Sequence, residues 1–105
     1  MDYCVVLVTA KDNNEAQDIA KQILEKRFAA CVNIVPAVTS LYWWENKITN
    51  DSESLMVIKT TKDNVLILID FVQEIHSYSV PEIISLPIEA GSAEYLNWID
   101  KNVKK

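Results

Sequence analysis

The chain opens on a nearly unbroken apolar run, Tyr3 to Thr9, which predicts a β-strand buried on both faces or nearly so. A polar break over Lys11–Asn14 follows, where Asp12 or Asn13 can cap a helix. Ala16, Ile19, Ala20, Ile23, Leu24 and Phe28 then recur at helical spacing, the pattern of an amphipathic helix with one core face. Ala30 to Trp44 is β-rich but interrupted by Pro36, whose missing N–H marks an edge, a bulge or a bend. Glu45-Asn46-Lys47 is the expected hairpin tip, since asparagine tolerates the left-handed conformation. Ile48 to Thr60 returns as a second long strand, polar at first and apolar over Leu55–Ile58, so its polar half is expected to project past the core.

Thr61 or Asp63 can cap a second helix over Asn64–Ile75. Its core stripe is Val65, Leu68, Ile69, Val72 and Ile75, and Leu66, Ile67 and Phe71 widen it enough to predict cover on more than one side. Pro81 bars helix propagation, Glu82 to Ile88 reads as a short strand that Pro87 places at an edge or ends, and Gly91-Ser92 opens a last helix that buries Tyr95, Leu96, Ile99 and Val103. The order strand, helix, strand, strand, helix, strand, helix predicts an α+β fold, a ferredoxin-like βαββαβ sandwich with a long β2–β3 hairpin and an additional C-terminal helix. Residues 1–105 read as a single domain.

The three aromatics before the hairpin tip, Tyr42, Trp43 and Trp44, bear on assembly. Adjacent strand residues point to opposite faces, so both tryptophans cannot be buried unless something covers the second face. Either one Trp packs in the core and the other lies half exposed, or the hairpin reaches across to another subunit; the second reading is favoured, because an exposed aromatic patch is unusual on a monomer.

Composition narrows the partners. A net charge of −5 with scattered basic residues argues against nucleic acid. No apolar run is long enough to span a membrane, and the N-terminal Met-Asp-Tyr-Cys has no basic leader region, so a cytoplasmic location is expected. Cys4 and Cys31 sit in apolar surroundings and read as buried free thiols. The single glycine, Gly91, excludes a glycine-rich phosphate loop.

Three stretches carry a family resemblance: Ala30-Cys31-Val32-Asn33-Ile34-Val35-Pro36, the Tyr42–Ile48 hairpin YWWENKI, and His76–Glu82, HSYSVPE, followed by Leu86-Pro87-Ile88. Together, in this order and spacing, they resemble the CutA family of divalent-cation tolerance proteins over nearly the whole chain. The resemblance implies a homotrimer whose long hairpins meet between subunits, with Tyr42, Trp43 and Trp44 at the interface. It implies a link to divalent-metal tolerance, with copper or another divalent cation as the possible cofactor and no established enzymatic reaction. It also implies kinship with trimeric PII-like signalling proteins, hence the alternative of a small ligand or protein partner. The chain departs from the family pattern at Asn46, where glycine is usual, and at Ser77, where proline is. Val8 and Ile75 stand where copper-linked members can carry a cysteine and a second histidine.

His76, the only histidine, reads either as a structural or cleft-lining residue or as a metal ligand. The end of a helix favours its charged form, and a copper or zinc site needs three or four ligands, so a neighbouring subunit or Glu82 must contribute for it to ligate. By resemblance, Lys59, Tyr78 and Glu82 fall where the inter-subunit cleft is built. They read either as a satisfied hydrogen-bond network or as a pocket for a small anion or metal chelate. No paired acids and no nucleophile–base pair are visible, so no catalytic residue is assigned.

Overall fold

The structure is a computed structural model describing residues 2–105; Met1, which begins the segment read above as lacking a leader, lies outside them. Strand β1 (Tyr3–Ala10) alternates strictly between buried and half-buried positions. Cys4, Val6, Val8 and Ala10 are buried, while Tyr3, Val5, Leu7 and Thr9 face the other way. The expectation of a strand buried on both faces or nearly so is met on one face only: the two helices of the main core pack on one side of the sheet, and the opposite side of β1 stays half-buried within one chain.

Helix α1 (Asn13–Glu25) begins where the sequence predicts, because the Asp12 side chain accepts from Glu15 N at 2.8 Å. Ala16, Ile19, Ala20 and Ile23 bury its inner face, whereas Leu24 is exposed. The helix ends with Arg27 in the left-handed region (φ 59°), and Phe28 N returns to Ile23 O at 3.2 Å. Phe28 is thereby turned into the core, edge-on to Phe71 at 5.4 Å.

Strands β2 (Cys31–Trp44) and β3 (Lys47–Thr61) form the long hairpin. Its turn is the two residues Glu45 and Asn46, both at positive φ (49° and 63°), flanked by the Trp44–Lys47 pair. Pro36 marks a bulge: the register shifts between Val35 and Val38, and Ser54 Oγ donates to the Pro36 carbonyl at 2.9 Å. The bulge reverses the facing of β2. Before it, Cys31, Asn33 and Val35 pair with Lys59, Val57 and Leu55; beyond it, Val38, Ser40 and Tyr42 pair with Glu53, Asp51 and Thr49.

After a 3-10 turn over Lys62–Asn64, helix α2 (Val65–Ile75) buries Leu68 and Val72. Neither Thr61 nor Asn64 makes a side-chain cap to its helix. Asn64 instead donates to Thr61 Oγ1 and to the Lys104 carbonyl, tying down the C-terminal end. The second covered side expected of α2 is absent from this chain: Leu66 and Ile67 are exposed.

Strand β4 (Ile83–Pro87) pairs antiparallel with β1 at the sheet edge, and helix α3 (Ala93–Asn102) closes the chain, capped by Ser92 and burying Ile99. Tyr95, expected in its buried face, is 43% exposed. The sheet order β2-β3-β1-β4 is the ferredoxin-like arrangement expected from the sequence.

Two consequences position everything that follows. The helix-covered side of the sheet joins α1 and α2 in one core containing Val6, Val8, Met56, Ile58, Ile19, Ile23 and Leu68. Each such side chain contributes about 1.5–3 kcal/mol on burial. Neither α1 nor α2 covers the other side: Val5, Leu7, Leu55 and Val57 are half-buried there, and Val35, Ile84 and Leu86 are exposed. Beyond the last β1–β3 pair, Ala10–Ser54, the hairpin continues as a two-stranded arm, drawing the molecule out to 44 × 25 × 22 Å.

Candidate functional site

The chain leaves α2 at His76, whose backbone turns extended after its N–H closes the helix on Val72 O at 2.9 Å. The imidazole is buried beside the end of β1. Its Nε2 lies 2.8 Å from the Thr9 carbonyl, which can only accept, and its Nδ1 lies 3.0 Å from the Tyr78 N–H, which can only donate. This pairing selects the neutral ring with its proton on Nε2. The helix-end argument from sequence favoured the imidazolium; the chain leaves the helix axis at His76, and the two backbone partners set the tautomer instead.

Tyr78 stacks obliquely on the His76 ring, with centroids 4.8 Å apart, and its hydroxyl donates to Glu53 Oε2 at 2.8 Å. Burial, then the Glu53 hydrogen bond and charge, hold the phenol well above its ordinary range. One step along the arm, Tyr42 donates to Asp51 Oδ2 at 2.5 Å, and that hydrogen bond pushes its phenol upward too. Glu15, at the start of α1, closes the other flank: Oε1 accepts from Lys11 N at 3.2 Å and Oε2 from Ser77 N at 3.0 Å. Partial burial acts to raise its carboxyl, but the Ser77 and Lys11 hydrogen bonds outweigh it and hold the group below its ordinary range.

The result is a polar corner at the base of the arm, built by His76, Tyr78, Glu53, Tyr42, Asp51 and Glu15. Of the sequence-predicted residues, it contains His76, Tyr78 and Tyr42. Glu82 is exposed just before β4. Lys59 is elsewhere: it lies six residues from Glu53 on the same strand, a separation of roughly 20 Å. One chain therefore does not bring Lys59, Tyr78 and Glu82 into a common pocket. Lys59 instead donates to Asn33 Oδ1 across the β2–β3 pairing.

Trp43 and Trp44 are 72% and 62% exposed, so neither packs in this chain's core. Cys4 is buried, as expected, but Cys31 is only half-buried. A metal centre on His76 does not fit within one chain, because both ring nitrogens are engaged. No group of three or more His, Cys, Asp or Glu side chains is arranged to hold a metal ion among the described residues.

Glu53, Asp51, Glu15 and Asn33 escaped the sequence reading. The signal for Asp51 and Glu53 was available in principle, since both share the parity of Leu55 on β3. Linking them to Tyr42 requires knowing that the Pro36 bulge reverses the facing of β2. Glu15 is brought to Ser77 only by the tertiary fold.

The sheet order, the long arm and the polar corner at its base define a ferredoxin-like α+β protein with an extended hairpin. The profile of the CutA1 divalent ion tolerance protein family matches residues 4–102, and the chain belongs to this family. It is 46% identical over 98 residues to the divalent-cation tolerance protein CutA of Thermus thermophilus, covering 93% of this chain and 95% of that one. It is 49% identical over 92 residues to human Protein CutA, covering 88% of this chain but 51% of the human protein, so it spans about half the length of the mammalian relatives. The crystal structure of CutA1 from Oryza sativa superposes with a TM-score of 0.97 at 39% identity, covering 100% of this chain and 96% of that one. The structure of the periplasmic divalent cation tolerance protein CutA from Archaeoglobus fulgidus gives a TM-score of 0.94 at 42% identity, covering 97% of this chain and 99% of that one.

Proposed function

We propose that this protein acts in the divalent-cation response as a homotrimer, taking up cations, copper among them, at clefts between subunits. One observation carries the reading: the apolar open side of the sheet runs into a two-stranded arm that nothing in the chain covers. An isolated two-stranded ribbon is marginal in water, and an uncovered apolar sheet face of this size invites a second copy. Family membership supplies the divalent-cation context.

Within that assembly the cation is held by carboxylates rather than by His76. Asp51 and Glu53 each accept one tyrosine hydrogen bond and retain further lone pairs, and Glu82 is exposed just before β4. His76 serves as the clasp that holds the 76–82 segment against β1. Its engaged nitrogens also support a binding role over a catalytic one.

Native mass spectrometry of tag-free protein, with and without Cu(II), tests both parts. The expected spectrum shows three copies plus retained metal, with less metal on Glu53→Gln. A monomer mass overturns the assembly; a metal-free trimer overturns the cation site.

A further inference from the structure

At the other end of the open sheet face, far from the polar corner, a second polar group stands on apolar ground. Cys31, Lys59, Val5 and Leu86 form one row across the sheet, paired in register. Lys59 is half-buried in this row. Among the described residues the ion pairs are Lys62–Asp2 and Lys105–Asp100, so Lys59 is a cation on an apolar face with no carboxylate of its own. Its side-chain partner is the Asn33 oxygen, which lies 4.0 Å from Cys31 Sγ. Because Asn33 spends its oxygen on Lys59, its NH₂ remains free to donate. Tyr95 of α3 neighbours Cys31, at the edge of this group: burial, then the Cys31 thiol, push its phenol above its ordinary range. Tyr95 also stacks on Trp98, with centroids 5.6 Å apart and planes at 23°, and both rings are partly exposed.

We propose that Lys59, Asn33 and Tyr95 form a carboxylate-binding site, with the Tyr95–Trp98 pair as a platform for a planar or apolar body attached to the carboxylate. The group offers an ammonium, an amide NH₂ and a phenolic O–H and brings no anion of its own, which is the donor set a carboxylate needs. The apolar surroundings of Val5, Val57 and Leu86 strengthen each of these bonds and make the unpaired charge unfavourable when the site is empty. The carboxylate has two possible sources: a small free acid, or a side chain of a neighbouring copy. The second source rests on the assembly proposed above; the first does not.

The test uses the full chain with ¹³Cε-labelled lysine, titrated with benzoate and with acetate. For a free acid, benzoate shifts the Lys59 signal saturably while those of Lys21 and Lys26 stay fixed, and acetate binds more weakly for want of a ring to stack. Calorimetric affinity for benzoate then falls about tenfold or more in Lys59→Met, which keeps most of the side-chain stem, and falls also in Tyr95→Phe. For a neighbour's carboxylate, benzoate leaves Lys59 unmoved. Its amine resists acetylation in the assembled protein and becomes reactive on dilution to separated copies. If benzoate has no effect and Lys59 is acetylated as fast as Lys21 at every concentration, the site does not exist. A monomeric wild type would remove the assembly and the second source, yet leave the benzoate titration to decide the first.

Discussion

His76 shows how one buried side chain can hold a segment by spending both of its polar atoms on backbone. Its Nε2–H serves the Thr9 carbonyl and its Nδ1 the Tyr78 N–H. Truncation leaves two backbone groups without their partner, each worth about 1–3 kcal/mol if it stays buried, but part of the loss is recovered as the 77–80 segment relaxes into water. We expect His76→Ala to remain folded and to lose about 2 kcal/mol of stability, read as a lowered urea midpoint. Glu15 acts on the same segment through Ser77 N, and its carboxyl is held below its ordinary range. The linkage therefore has the acid sign. The stabilisation is complete above the glutamate range of the unfolded chain and is lost as pH falls through the lower folded value. Urea midpoints of wild type and Glu15→Gln should differ at pH 7 and converge between about pH 5 and pH 3. A difference independent of pH would assign the effect of Glu15 to packing. The sole histidine was conspicuous in the sequence, but its partners were not: a carbonyl at Thr9 and an N–H at Tyr78 carry no side-chain signature, and only the fold places them around the ring.

Among the elements, the hairpin turn is where local preference and observed conformation disagree most. A two-residue turn with both residues at positive φ favours Asn-Gly, and this chain supplies Glu45-Asn46. Asn46 suits its place; Glu45 at φ 49° does not, since a residue without a short polar side chain loses roughly 1–2 kcal/mol in the left-handed region. Glu45→Asn should therefore stabilise the arm by about 0.5–1 kcal/mol, seen as slower amide exchange in residues 38–52, whereas Glu45→Val should speed it. Helices α1 and α2 and strands β1 to β3 were legible in the sequence because their apolar periods are long and regular, and Asp12 marked the start of α1 by its side chain alone. The number of covered faces was not legible. The continuous run at Tyr3–Thr9 looks the same whether its second face is buried by this chain or left open, and the excess apolar residues of α2, Leu66 and Ile67, are likewise exposed in one chain. Pro36 signalled a disturbance in β2, but a proline in a strand does not say whether it marks an edge, a bend or a one-residue change of facing. For that reason Tyr42 could not be matched to Asp51 before the register was known.

At the scale of the whole molecule, the open sheet face and the arm make one argument for a ring of three copies. The Pro36 bulge puts Tyr42 and Trp44 on the same side of the ribbon as Asp51 and Glu53, continuing the open face, and puts Leu41 and Trp43 with Ile48 on the other side. Leu41, Trp43, Trp44 and Ile48 are all more than half exposed, so both sides of the arm offer large apolar surface. A single flat contact would cover one side and leave the other wet. A head-to-tail ring can cover both, because each arm then lies between its own subunit and the next, and closure leaves no free β2 or β4 edge to propagate a fibre. Buried tryptophans of this kind dominate interface energy, and mass action then ties folding to assembly. We therefore expect sedimentation to give three copies at about micromolar concentration, with an unfolding midpoint that rises as protein concentration rises. The two faces of the arm allow a sharper comparison. Trp43→Ala and Trp44→Ala remove contacts from opposite sides, so each should weaken the trimer by itself, and the double variant should dissociate at higher concentration than either. If only one of the single variants weakens assembly, the ring covers one face of the arm and the other tryptophan belongs to a different contact. A wild type that sediments as a monomer would remove the ring altogether.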